Sequence, residues 1–242
     1  MRTAHRRRAV LVAGAVALAV AAAAGVVSAA SGSGVREIPG GIFPDAPAMS
    51  PDGRTLYVGD LNAPAANGAV AALDLATGRL GRPVGVIGPA FGLVITPDGR
   101  TMFASDGDTI TPVGVAAGTA RRPVQTGIDP SNDGQLLMSR DGRTLYISGD
   151  TRIRRYDIAV GRFGTDIPAD DPAAMLLSRD GKTLWYASGS GQVVAVDLST
   201  GAVRARIPMG EYTPSLAMTP DGRTLYVAVG VSGPDSVAGP GN

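Results

Sequence analysis

Ser50-Pro51-Asp52-Gly53-Arg54-Thr55-Leu56-Tyr57-Val58 is written five times, with small changes, along this 242-residue chain. It returns as Thr96-Pro97-Asp98-Gly99-Arg100-Thr101-Met102-Phe103 and as Ser139-Arg140-Asp141-Gly142-Arg143-Thr144-Leu145-Tyr146. The last two copies are Ser178-Arg179-Asp180-Gly181-Lys182-Thr183-Leu184-Trp185 and Thr219-Pro220-Asp221-Gly222-Arg223-Thr224-Leu225-Tyr226. Their glycines lie 46, 43, 39 and 41 residues apart. A period near forty is the mark of a repeat architecture, in which one supersecondary unit is stacked on the next.

Each copy reads as a tight hairpin. Pro presets φ at the second turn position, Asp bonds its own backbone, and Gly supplies the position with φ > 0. Short apolar runs precede the turn: Leu93-Val94-Ile95, Leu136-Leu137-Met138, Met175-Leu176-Leu177 and Leu216-Ala217-Met218. Uninterrupted apolar runs of this length predict an inner strand buried on both faces. The Thr-Leu-Tyr-Val type segment after the turn suits a second strand.

Between the hairpins, Val70 to Gly78, Ile153 to Gly161 and Val193 to Gly201 share a second pattern, an Asp followed four residues later by Gly. That predicts a third strand, another Asx-type turn, and a fourth strand near 84–87, 163–167 and 203–208. The second unit has Gly114 where the others have Asp, and Pro112 inside its third strand, so this blade should be the least regular.

Four strands per forty-odd residues, with Pro-Asp-Gly-x-x-Leu-Tyr-Val and then Val-x-x-Asp-x-x-Thr-Gly, resembles the YVTN-type β-propeller repeat family of bacterial exported proteins. The resemblance covers roughly residues 42–229. It implies an all-β β-propeller of four-stranded antiparallel blades, about five of them, and carries no catalytic motif to transfer. Closure is open to two readings. Either a strand at 35–39, within a linker over 31–41, completes the last blade, or the repeats are part of a six- or seven-bladed ring. Residues 230–242 are a Gly/Pro-rich tail.

Residues 1–30 stand apart. Arg2, Arg6, Arg7 and Arg8 precede an apolar run over 9–27 with small residues after it. This is the make-up of a signal peptide, with a membrane anchor as the competing reading, and predicts a hydrophobic helix before the repeats. The protein is then secreted or extracytoplasmic, touching membrane only through this segment. The chain holds 22 basic and 21 acidic residues, and without the four leader arginines the net charge is −3, which argues against nucleic acid as a partner.

The chemistry that remains is narrow. The one histidine is His5, and cysteine is absent, so Ser-His-Asp and Cys-His catalysis, histidine-bound zinc and disulfides drop out of residues 31–242. Tyr57, Phe103, Tyr146, Trp185 and Tyr226 share one repeat position and are expected to pack between blades rather than form a binding platform. In a four-stranded blade the Asp-Gly turns lie at one end, with Arg54, Arg100, Arg143, Lys182 and Arg223. The second-to-third loops and the crossovers lie at the other. That end would carry Asp45, Asp60, Asp106, Asp108, Asp129, Asp133, Asp150, Asp170, Asp171 and Glu211. Single-sign charge attracts cations or basic partners, so Asp60, Asp106, Asp108, Asp129, Asp150, Asp170, Asp171 and Glu211 are the candidate ligand-binding residues. Most of these acids also suit solvated turns. The metal reading of these acids is calcium held by carboxylate and carbonyl oxygens, although none of the runs has the twelve-residue calcium-loop spacing.

Three function classes follow: a non-catalytic exported binding or scaffold module for a protein or small-molecule ligand, a lactonase-like hydrolase using acids and a metal, and a fragment of a larger sensor propeller.

Overall fold

The computed structural model describes residues 16–21, 26–31, 34–39, 44–60, 70–81, 83, 84, 86, 90–129, 134–210 and 215–228. The chain divides into two compact units, residues 1–143 and 144–242, the boundary falling inside the third Asp-Gly turn. Among the described residues there is no helix, and so none long and apolar enough to cross a membrane.

The first unit opens with a three-stranded antiparallel sheet of Val16–Ala21, Val26–Ser31 and Gly34–Pro39. Here the expected hydrophobic helix gives way to strands. The segments are rich in valine, which favours strands, and two of six residues each pair in full, Val20 opposite Val27. A strand does form at 35–39, but it pairs with Val26–Ser31, Ile38 opposite Val27. Expectations for residues 1–15 and for the tail at 230–242 fall outside the described residues.

Four-stranded antiparallel blades follow. The first unit holds Pro44–Met49, Thr55–Asp60, Val70–Asp74 and Arg79–Leu80, then Gly92–Ile95, Thr101–Ser105 and Thr109–Gly114. The fourth strand of that second blade is in two pieces, Thr119–Ala120 and Val124–Gln125, and the inner strand of the third repeat is Leu136–Met138. In the second unit Thr144–Ser148 and Arg152–Asp157 precede another split fourth strand, Arg162–Phe163 and Ile167–Pro168. A complete blade of Pro172–Leu177, Thr183–Ser188, Gln192–Asp197 and Val203–Pro208 comes next, then the pair Ser215–Met218 and Leu225–Ala228. This repeated meander is the all-β, β-propeller fold with four-stranded blades that the sequence predicts.

The hairpin turns explain the repeat. Ser50 Oγ accepts from the Thr55 amide at 2.9 Å and donates to Asp52 Oδ1 at 2.6 Å. The same carboxylate oxygen takes the Arg54 N–H at 3.1 Å, and the Gly53 N–H closes the turn on Ser50 O at 2.9 Å. Thr96, Ser178 and Thr219 do the same for their own turns. The five turn glycines have φ between 69° and 73°, where only glycine sits without strain.

These bonds make the turns acid-sensitive. Asp52, Asp98, Asp141, Asp180 and Asp221 are held below the ordinary carboxylate range of 3.8, first by the Ser or Thr hydroxyl and then by the backbone N–H. A folded-state pKa below the unfolded one contributes stability that is complete above the unfolded value and lost as pH falls through the folded one. Urea midpoints should therefore be flat from about pH 7 to 5 and drop below about pH 4. A midpoint unchanged at about pH 3 would refute this account of the turns.

Pro112 does not disrupt its blade. Thr109–Gly114 pairs with Thr101–Ser105 without a register shift, Pro112 opposite Phe103, whereas shifts occur at Asp45/Ala48 and Pro172/Ala174. The reason is shared by three blades. At this point the fourth strand leaves the ladder after one bond: Gly81 N–H to Ala72 O, Arg121 N–H to Pro112 O, and Gly164 N–H to Arg155 O. A strand residue points its N–H and C=O the same way, so the donor that Pro112 lacks would have faced the gap.

Second and third strands make the core. In the first unit Leu56, Tyr57 and Val58 are all buried, on alternating faces: Leu56 and Val58 pack with Leu73, while Tyr57 joins Val70, Val84, Leu93 and Met102. The inner strands, expected to be buried, are only half-buried at Leu136–Met138 and over most of Pro172–Leu177. In the second unit Tyr156 packs on Phe163 with ring centroids 5.1 Å apart, and the Arg154 guanidinium lies 4.0 Å from the Phe163 centroid. Of the five repeat aromatics, Tyr57, Phe103 and Tyr146 are buried as expected. Trp185 is half-buried and Tyr226 is 62 % exposed, the latter in a sheet with two strands among the described residues, which departs from the expectation.

Candidate functional site

Three loops of the second unit meet at the end of the blades away from the Asp-Gly turns. Thr183–Ser188 ends on Ser188, a buried serine whose Oγ accepts from the Ser190 amide at 3.1 Å and lies 2.7 Å from Ser190 Oγ. Ser190 Oγ donates to Asp170 Oδ2 at 2.9 Å, and Ser188 Oγ is 3.4 Å from the same oxygen. The loop at 188–191 is thereby tied to the crossover at 169–171.

That crossover is tied in turn to the loop at 149–151. The Asp171 N–H donates to Asp150 O at 2.7 Å and the Ala169 N–H to Thr151 O at 3.1 Å, while Asp171 O accepts the Gly189 N–H at 2.8 Å. Asp171 has φ of 42°, unusual outside glycine, and its carboxylate occupies the place a Cβ on residue 189 would fill. Gly189 is thus glycine because Asp171 lies on it. Asp150, Asp170 and Asp171 are all exposed, so their charge faces solvent at little desolvation cost.

The first unit uses its acids differently. Asp106 Oδ1 accepts from the amide and hydroxyl of Thr109, at 3.0 and 2.7 Å, and so builds its own turn. Asp108 contributes its backbone carbonyl to Thr126 Oγ1 at 2.7 Å. Asp129 is exposed just after the buried Ile128, and Asp60 ends the strand Thr55–Asp60 opposite Pro44. Asp133 and Glu211 lie outside the described residues. The structure thus joins Asp150, Asp170 and Asp171 through one network and assigns Asp106 to local turn chemistry.

No group of three or more His, Cys, Asp or Glu side chains gathers to hold a metal ion among the described residues. The serines at 188 and 190 escaped the sequence reading, although Ser105, Ser148 and Ser188 recur at the end of the second strand. All three are buried, and the Ser105 and Ser188 hydroxyls accept amide hydrogens of the following loop.

No family model matches the chain, and no curated protein does. Solved structures do. The chain is similar to hydrazine synthase of Kuenenia stuttgartiensis, with a TM-score of 0.75 and 21 % identity over 89 % of this chain and 71 % of that one. At this identity the likeness is one of fold, and with 1505 solved chains sharing it, it points to no single activity.

Proposed function

We propose that this chain is an exported, non-catalytic β-propeller module that binds a cationic ligand or a basic protein segment through Asp150, Asp170 and Asp171. The observation that carries the reading is the hydrogen-bonded network that brings these exposed acids onto three adjoining loops. Loops held by a rigid sheet are where binding residues concentrate, and acids of one sign raise the local concentration of cations. The lack of histidine beyond His5 and of cysteine supports binding over catalysis. The basic Arg2 and Arg6 to Arg8 ahead of an apolar run support export, and five hairpins in register support a YVTN-type repeat.

Titration with a lysine-rich peptide tests the site. Asp150→Asn with Asp170→Asn should weaken binding severalfold. Raising salt to about 0.5 M should weaken the parent as well, because the Debye length falls to about 4 Å. Equal affinity of parent and double variant would sink the reading.

A further inference from the structure

At the opposite end of the second unit, the junction between its complete blade and its last described sheet departs from the proline-backed junctions of the first unit in three ways at once. In the first unit the turn glycine of each hairpin rests on the proline of the hairpin before it. A Cβ on Gly99 would lie 3.5 Å from Pro51 Cδ, and one on Gly142 would lie 2.7 Å from Pro97 Cδ. Each proline ring thus lies against the next turn glycine, and Tyr57 and Phe103 of the same two hairpins are buried. The third and fourth copies carry Arg140 and Arg179 in place of that proline, and the Arg179 Cβ backs Gly222. The aromatic is the chain's one tryptophan, Trp185, and it is half-buried. A cleft of about 530 Å³ opens between the two hairpins, lined by Arg179, Asp180, Trp185, Met218, Asp221 and Gly222 among others.

We propose that this cleft is a binding site for a short neutral saccharide. Its volume falls within the roughly 300–1,000 Å³ of small-molecule sites. The indole and the Met218 thioether give an apolar floor on which the C–H face of a sugar ring can rest. Arg179 supplies donors, and Asp180 and Asp221 supply acceptors, the complement that neighbouring ring hydroxyls require. Arg179 against Asp180 and Asp221 leaves a net charge of only −1, which disfavours an anionic ligand and suits a neutral one.

The acceptors are also held in place before any ligand arrives. Asp180 Oδ1 takes the Ser178 hydroxyl at 2.6 Å and the Lys182 amide at 3.1 Å. Asp221 Oδ1 takes the Thr219 hydroxyl at 2.5 Å and the Arg223 amide at 3.0 Å. Groups fixed by tight turns need little ordering on binding. The same bonds, and Arg179 beside Asp221, keep these carboxylates ionised well below neutral pH.

Because Trp185 is the only tryptophan, its emission reports on this cleft alone. The full chain is titrated with cellobiose, maltose and chitobiose to about 10 mM, which would fill nine-tenths of a site with a Kd of about 1 mM. At least one should give a saturable emission change, and Arg179→Ala and Asp221→Asn should each weaken it by about tenfold. Circular dichroism checks that both variants remain folded, and Arg179→Ala, which leaves every turn hydrogen bond in place, decides the matter if Asp221→Asn unfolds. No saturable change with any of the three sugars would overturn the proposal. So would a change unaltered in Arg179→Ala, or a response to choline chloride or adenosine monophosphate with none to the sugars.

Discussion

Gly142→Ala should destabilise the protein by roughly 2–5 kcal/mol, while Gly53→Ala costs about 1–2 kcal/mol, although both glycines sit at the same turn position. Both have φ of 69°, so the left-handed strain of an added Cβ is common to them. Their surroundings differ. Nothing lies within 4 Å of where a Cβ on Gly53 would stand, but at Gly142 it would meet Pro97 Cδ at 2.7 Å and Cγ at 3.3 Å. A pyrrolidine ring cannot swing aside as a flexible side chain can, so the overpacking falls on the backbone of two hairpins. Gly99→Ala, 3.5 Å from Pro51 Cδ, should behave like Gly53→Ala. Urea midpoints of the three variants measure the ranking. Equal losses would show that the contact with Pro97 carries no weight.

Phe103→Ala should cost roughly 3–5 kcal/mol, and Tyr226→Ala within about 0.5 kcal/mol of nothing. The two occupy equivalent places in their repeats. Phe103 is 2 % exposed, with Val94 opposite on one neighbouring strand and Pro112 on the other. Removing its ring forfeits the transfer energy of the buried carbons and leaves a cavity that three paired strands cannot collapse. Tyr226, on Leu225–Ala228 of a sheet with two strands among the described residues, is 62 % exposed and leaves no cavity behind. Similar losses at the two positions would mean that solution burial does not follow this exposure.

What the sequence disclosed and what it hid divide along range. The Asp-Gly hairpins and the positive φ at Gly53, Gly99, Gly142, Gly181 and Gly222 were readable because the bonds that make them lie within five residues. The second turns were readable for the same reason: Asp74 Oδ1 takes the amide and hydroxyl of Thr77. Splitting of the fourth strand was not, since it depends on which way residues 72, 112 and 155 point their carbonyls. Local sequence alone therefore makes Pro112 look like a fault in its blade, whereas it occupies a place where no donor is wanted. Of the candidate site, the acids were visible one by one. Their joining was not, because it runs from the hairpin loop at Asp150 through the crossover at Asp171 to the next hairpin loop at Gly189.

The seating of Gly99 on Pro51, and of Gly142 on Pro97, makes successive hairpins of the first unit into links, each held by the one before and holding the one after. Interactions confined to adjacent units give an array whose opening spreads link by link. Amide exchange at one turn should then loosen when the preceding proline is changed, and barely respond to a change two hairpins away. A copy that brings its own turn proline offers the next glycine the same seat, whereas the third and fourth copies, with Arg140 and Arg179 there, offer a different one.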